Sequence, residues 1–137
     1  MSDEHFSVDG TLIEAWASHK SFQPKSDGGP DGGAGRDPEV DFKGEQRRNA
    51  THASTTDPEA RLYKKVEGQA AKLCYMGHAL MENRHCLVVD AEVSRATGTA
   101  EREAALERVR RRLPAGGATL GADKAYDTHD CVADLQA

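Results

Sequence analysis

Apolar and polar residues alternate near the start of the chain. Phe6, Val8 and Leu12 fall on one side, with Gly10 between them, and His5, Ser7, Asp9 and Thr11 fall on the other. A period of two predicts a half-buried strand over 5–13. Residues 14–18, Glu14-Ala15-Trp16-Ala17-Ser18, are expected to turn helical. The pattern resumes later as a meander. A short strand is predicted over 61–66 and a turn at Glu67-Gly68-Gln69. Residues 72–82 are apolar on both sides, with Leu73, Tyr75 and Met81 against Cys74, Met76 and Leu80. That is the signature of a central strand covered on both faces. Asn83-Arg84-His85 turns the chain, and 86–95 returns as a strand through Leu87-Val88-Val89 and Val93.

The period then changes. Leu106, Val109 and Leu113 recur at helical spacing and predict a buried stripe on a helix over 99–113. Thr99 is placed to cap its N-terminus. Glu101 and Glu103 lie in the first turn and Arg108, Arg110, Arg111 and Arg112 near the last, an order that suits the helix dipole. Pro114 and Gly116-Gly117 end the element. A short apolar strand over 118–123 follows, which predicts a parallel crossover. Asp127 is placed to cap a last helix carrying Cys131, Val132 and Leu135. The expected fold class is α/β: a mixed sheet with flanking helices, in the order strand, long insert, three-strand meander, helix, strand, helix. Residues 1–137 make a single partial domain, and the insert, about 19–58, is expected to be disordered. Its Gly/Asp/Pro-rich stretch Ser26-Asp27-Gly28-Gly29-Pro30-Asp31-Gly32-Gly33-Ala34-Gly35 is a flexible loop by composition. The segment 47–59 that follows is rich in short hydrogen-bonding side chains, which suits wrapping a polar partner or plain solvation.

Composition narrows the function. The net charge of −5 argues against a self-sufficient nucleic-acid binder, which is usually basic. The 3 cysteines, Cys74, Cys86 and Cys131, are odd in number and lack a C-x-x-C pattern, so a disulfide framework is not expected and a cytoplasmic location is. No apolar run reaches membrane-spanning length and the N-terminus is not a secretory signal, so no membrane partner is expected.

The chemistry concentrates in two aspartates. Asp9 and Asp123 stand near opposite ends of the chain, each at the C-terminal end of a predicted strand. Carboxylates on adjacent strands repel unless a cation lies between them, and Mg²⁺ takes oxygen ligands of this kind. Two such ions about 3.5–4 Å apart stabilise the attacking and leaving oxygens of phosphoryl transfer, normally with a third carboxylate. From spacing alone, ordinary turn or capping roles remain open for both residues.

A resemblance gives the pair a direction. Ser7-Val8-Asp9-Gly10-Thr11-Leu12-Ile13-Glu14-Ala15-Trp16-Ala17-Ser18 resembles the first catalytic segment of bacterial insertion-sequence DDE transposases. Three more segments resemble the family in the same order: 48–62 (Arg48-Asn49-Ala50-Thr51-His52 onward), 72–84, and Leu120-Gly121-Ala122-Asp123-Lys124-Ala125-Tyr126-Asp127. The resemblance implies an RNase H-like catalytic fold, here incomplete. It implies Mg²⁺ or Mn²⁺ as cofactor and DNA, both transposon ends and target, as partner. By resemblance, Asp9 and Asp123 are the first two catalytic, metal-binding members of the triad. The third is a Glu on a later helix. Fourteen residues follow Asp123 and none is Glu, so the chain is expected to be truncated at both ends and catalytically incomplete.

Two rivals follow: a non-catalytic regulator or decayed remnant, the regulator partnered by full-length transposase, and a standalone RNase H-like nuclease. The nuclease needs a third carboxylate, with Asp90 or Glu92 as candidates. Two departures from the family are local. Ala125 stands where Gly is common, at a cost of about 1 kcal/mol if that position needs positive φ. His85-Cys86 stands where the meander turn commonly carries Asn-Gly. The arginine run 110–112 fits DNA phosphate, but a helix C-terminus favours it for structural reasons alone. Cys74 and Cys86 are expected in the core, and the histidines lack zinc spacing.

Overall fold

A computed structural model describes residues 4–25, 39–42, 44–113 and 117–136. The alternating start forms β1 (His5–Glu14). Short strands follow: β2 (Phe22–Pro24), β3 (Glu39–Phe42), β4 (Glu45–Arg48), β5 (His52–Ser54) and β6 (Arg61–Tyr63). The long meander strands are β7 (Lys72–Glu82) and β8 (Leu87–Arg95). Helix α1 (Ala100–Arg112), β9 (Thr119–Gly121) and α2 (His129–Gln136) complete the order.

The main sheet is mixed. Its strands run β6-β7-β1-β9, and β8 also pairs with β7. The strand after the helix is parallel to β1, with Phe6 opposite Leu120 and Ser7 opposite Gly121. This is the crossover the sequence predicts, because a parallel neighbour needs a connection long enough to return. The N–H of Asn83 donates to the carbonyl of His5, and that of Ala15 to the carbonyl of Leu73. These two bonds are equally spaced on both strands, so one antiparallel register joins them. It sets Leu80 opposite Val8 and His78 opposite Gly10.

Two compact units divide the chain. The first comprises Met1–Thr11, Gly77–Val93 and Ala100–Ala137, the second Leu12–Met76 and Ser94–Thr99. The first has a core of Phe6, Val8, Leu80, Ala105 and Tyr126. The second is built on Phe22, Ala60, Leu62, Ala71 and Leu73.

Several expectations are corrected. Residues 15–18 are not helical. Ala15 and Ala17 pack against the second core, Ala15 is held by the carbonyl of Leu73, and Trp16 is left 98% exposed. Packing the two half-buried alanines against that core holds the segment out of a helical turn. The stretch 19–58 is not structureless where it is described. β2 pairs with β5 and β3 with β4, and Phe22 is buried. Polar side chains supply the cohesion that apolar content lacks. Arg47 donates to the carbonyls of His19 and Phe22 at 3.0 and 2.7 Å, and Ser54 Oγ accepts from the N–H groups of Thr56 and Asp57. The Gly-rich stretch 26–35 and the helix stop at 114–116 lie outside the described residues.

The buried stripe of α1 is also different. Ala100, Ala104, Ala105 and Arg108 face inward, whereas Leu106, Val109 and Leu113 are half-buried. Small residues let the helix lie close over the sheet. Thr128, not Asp127, stands ahead of α2, with its Oγ1 accepting from the N–H of Cys131. Ala125 lies in a 3-10 turn, Lys124–Tyr126, without positive φ, so the anticipated strain does not arise there.

The strain lies at Cys86 instead. Its φ is 54°, and it is exposed at the end of the β7–β8 turn rather than in the core. Hairpin loops of this kind commonly close on a left-handed residue, usually Gly. Replacing Cys86 by Gly should raise stability by about 0.5–1 kcal/mol, since the β-carbon penalty exceeds the entropy Gly adds to the unfolded chain. Urea unfolding of the two proteins measures it, and a lower midpoint for the variant would refute the assignment.

Candidate functional site

The C-terminal end of the β1–β9 pair carries both predicted site residues. Asp9 and Asp123 each lie two residues beyond the last pair of that ladder, Ser7 opposite Gly121. Both are exposed. Asp9 is also not at the C-terminal end of its strand, as expected from the sequence, because β1 runs on to Glu14. Asp9 follows Val8 in the alternation, so it points to the sheet face away from α1, and its Oδ1 accepts from the N–H of Gly10 at 2.8 Å. Asp123 precedes the 3-10 turn, and its carbonyl accepts from the N–H of Tyr126 at 3.0 Å.

A third carboxylate comes near from another direction. Gly10 is buried, and a β-carbon there would meet Glu101 Oε1 at 2.5 Å and its Cγ at 2.9 Å. Glu101, in the first turn of α1, thus covers Gly10 on the helix side, while Asp9 points to the other side. The sequence signal was a Gly inside a strand, which often marks a close approach. Tyr126 lies among these charges with its ring buried in the first core. Burial and the negative charges of Glu101, Asp9 and Asp123 push its phenol up to about 12, with Arg108 opposing. It stays protonated at neutral pH.

Asp90 and Glu92, the candidate third ligands, are engaged elsewhere. Asp90 accepts from Arg111 at 2.6 Å and Arg112 at 3.3 Å, and Glu92 pairs with Arg108 at 3.2 Å. The hydrogen bond from Arg111 is the main cause holding the Asp90 carboxyl below its ordinary value. These pairs also account for Arg111 and Arg112 structurally. Among the described residues, no three His, Cys, Asp or Glu side chains stand together as an ion-holding group.

Other reactive groups are occupied or inert. Glu82 is buried and accepts from His85 Nδ1 at 2.9 Å and from the N–H groups of Arg84 and His85, closing the hairpin. Desolvation pushes its carboxyl up, but those hydrogen bonds more than offset it and the net shift is downward. Burial, then Glu14, pushes the Cys74 thiol up to about 11, which leaves no thiolate for nucleophilic work. All three cysteines are free. Among the described residues, no helix is long and apolar enough to cross a membrane.

No family model, curated protein or solved structure matches the chain.

Proposed function

We propose that the chain is part of the RNase H-like catalytic domain of a bacterial insertion-sequence DDE transposase, whose parent activity is metal-dependent cleavage and strand transfer of DNA. The observation that carries this reading is the parallel pairing of β1 with β9, whose last pair lies two residues before both Asp9 and Asp123. The donor set is chemically suited to Mg²⁺ or Mn²⁺, being two exposed carboxylates, one on β1 and one just after β9. When bound, the ion would neutralise charge on a phosphate and activate the attacking oxygen. Asp9 and Asp123 would hold it, and transposon-end and target DNA are the partners of the parent activity. Two carboxylates make a loose site, so binding by this chain should be weak and strand transfer absent.

The lack of a three-donor group among the described residues favours a second reading, a non-catalytic regulator that associates with full-length transposase. The standalone nuclease is disfavoured while Asp90 and Glu92 remain bound to the arginines of α1.

Mn²⁺ binding to the purified chain, followed by electron paramagnetic resonance, tests the site. A dissociation constant of about 10⁻⁴–10⁻³ M is expected, as for weaker oxygen-ligand sites. Asp9→Ala and Asp123→Ala should each weaken it about tenfold or more, by the size of effect expected when a ligand is lost. Unchanged affinity in both variants removes the metal site. Metal-dependent strand transfer by this chain, abolished in Asp9→Ala, would overturn the expectation that strand transfer is absent.

A further inference from the structure

Trp16, the single tryptophan of the chain, is 98% exposed. The chain on either side of it is fixed. Ala15 and Ala17 pack against the second core. The N–H of Ala15 donates to the carbonyl of Leu73 at 2.9 Å, and that of Ala17 to the carbonyl of Ala15 at 2.8 Å. The backbone thus anchors on two small neighbours and leaves the indole in solvent. An aromatic side chain of this size contributes most when it is covered, and an exposed apolar group within a polar rim marks an interaction site.

The rim is cationic. Lys72, next to Leu73, stands opposite Tyr63 in the β6–β7 pair, and Lys64 follows Tyr63. The start of β7 therefore gathers the ends of β1 and β6 at one corner of the second unit, with Trp16 just past β1. Over 61–72, Arg61, Lys64, Lys65 and Lys72 stand against Glu67 alone, in a chain of net charge −5. Lys64 and Lys72 are exposed. Glu14 accepts from Lys72 at 3.0 Å, but both side chains are more than half exposed. Such a surface pair contributes little and yields to a phosphate.

We propose that this corner binds unpaired DNA, with Trp16 stacking on a base and Lys64 and Lys72 holding the adjoining phosphates. A flat π face beside cations holds single strands, because every base offers a face and every nucleotide a charge. A duplex hides those faces in its own stack. The choice of DNA rests on the transposase reading above, whereas the stacking rests on the exposure and anchoring of Trp16. The chain is acidic as a whole, so affinity is modest and falls steeply with salt.

Titration of the full chain with an oligothymidylate of about ten nucleotides, at low salt and in EDTA, tests this. EDTA makes the result independent of whether Asp9 and Asp123 hold a metal. Binding should quench the emission of Trp16. An abasic strand of the same length keeps the phosphates and lacks the bases, so it should bind about 5- to 150-fold more weakly and leave the emission unchanged. Trp16→Ala removes nothing from either core, and by anisotropy of a labelled strand it should lose affinity for oligothymidylate by the same factor. Lys64→Gln should reduce the slope of log affinity against log salt by about 0.7. Unchanged emission with oligothymidylate, or undiminished binding by Trp16→Ala, overturns the proposal. So does equal affinity for the abasic strand or for the same strand paired with its complement. Equal quenching by polyglutamate also overturns it and makes the corner a surface for acidic protein. Should Trp16→Ala fail to fold, the abasic comparison in the unaltered protein decides.

Discussion

Replacing Phe6 by alanine is expected to lower the unfolding free energy by about 3–5 kcal/mol, the range for truncating a buried aromatic. Phe6 is 2% exposed and packs with Val8, Leu80, Ala105 and Tyr126. It also stands opposite Leu120 in the β1–β9 pair, so its ring helps to hold the strand that leads to Asp123. The cavity would open where β1, β7, α1 and the 3-10 turn before α2 converge. The close contacts there leave little room for collapse, so the loss should fall in the upper part of the range. Phe6→Leu, which keeps most of the volume, should cost less than about 1.5 kcal/mol. Urea unfolding with a constant slope measures both. If Phe6→Ala costs under about 0.5 kcal/mol, the first core does not pack as described, since such a loss is typical of surface sites.

The strands that make this core were legible in the sequence. Alternation in β1 and two-sided apolarity in β7 are local patterns, and burial acts on them directly. The crossover to β9 followed from a helix lying between two short apolar runs. The buried face of α1 was not legible, because Leu106 and Val109 outweigh Ala104 and Ala105 in any hydrophobic count. Ala105 packs with Phe6, Val8 and Leu80 of the sheet, a tertiary contact that no hydrophobic count along the helix contains.

The strands that carry Asp9 and lead to Asp123 were legible, but not the extent of β1, which runs past Asp9 to Glu14. Which face each carboxylate takes was not, because it depends on where the ladder stops. Glu101 was missed for a related reason. Its place in the first turn of α1 is explained by the helix dipole alone, and only the tertiary contact with Gly10 sets it apart. The strands within 39–54 were the least legible. They are short, and the bonds that fix them join distant positions, such as Arg47 to the carbonyl of Phe22.

Asn49 carries that argument to its sharpest test, and Asn49→Ala should cost about 2–6 kcal/mol. Its side-chain amide makes both hydrogen bonds that a strand neighbour would. Oδ1 accepts from the N–H of Leu62 at 2.7 Å, and Nδ2 donates to the carbonyl of Leu62 at 2.8 Å. Leu62 is fully buried and faces Leu73 across the β6–β7 pair. One amide thus completes the edge of β6. Alanine removes both partners at once and leaves a buried donor and a buried acceptor, each costing about 1–3 kcal/mol when unmet. Asn49→Asp keeps only the acceptor and sets a carboxylate against the Leu62 carbonyl, so it should be no less damaging. Urea unfolding gives the energy, and exchange of the Leu62 amide gives the location. A shift under about 0.5 kcal/mol, the surface level, with that amide still protected, would sink the assignment. The expected result would give the 48–62 segment a structural reason for its residue pattern. Its polar residues would then be internal partners of the second unit, and any DNA contact would have to come from other side chains.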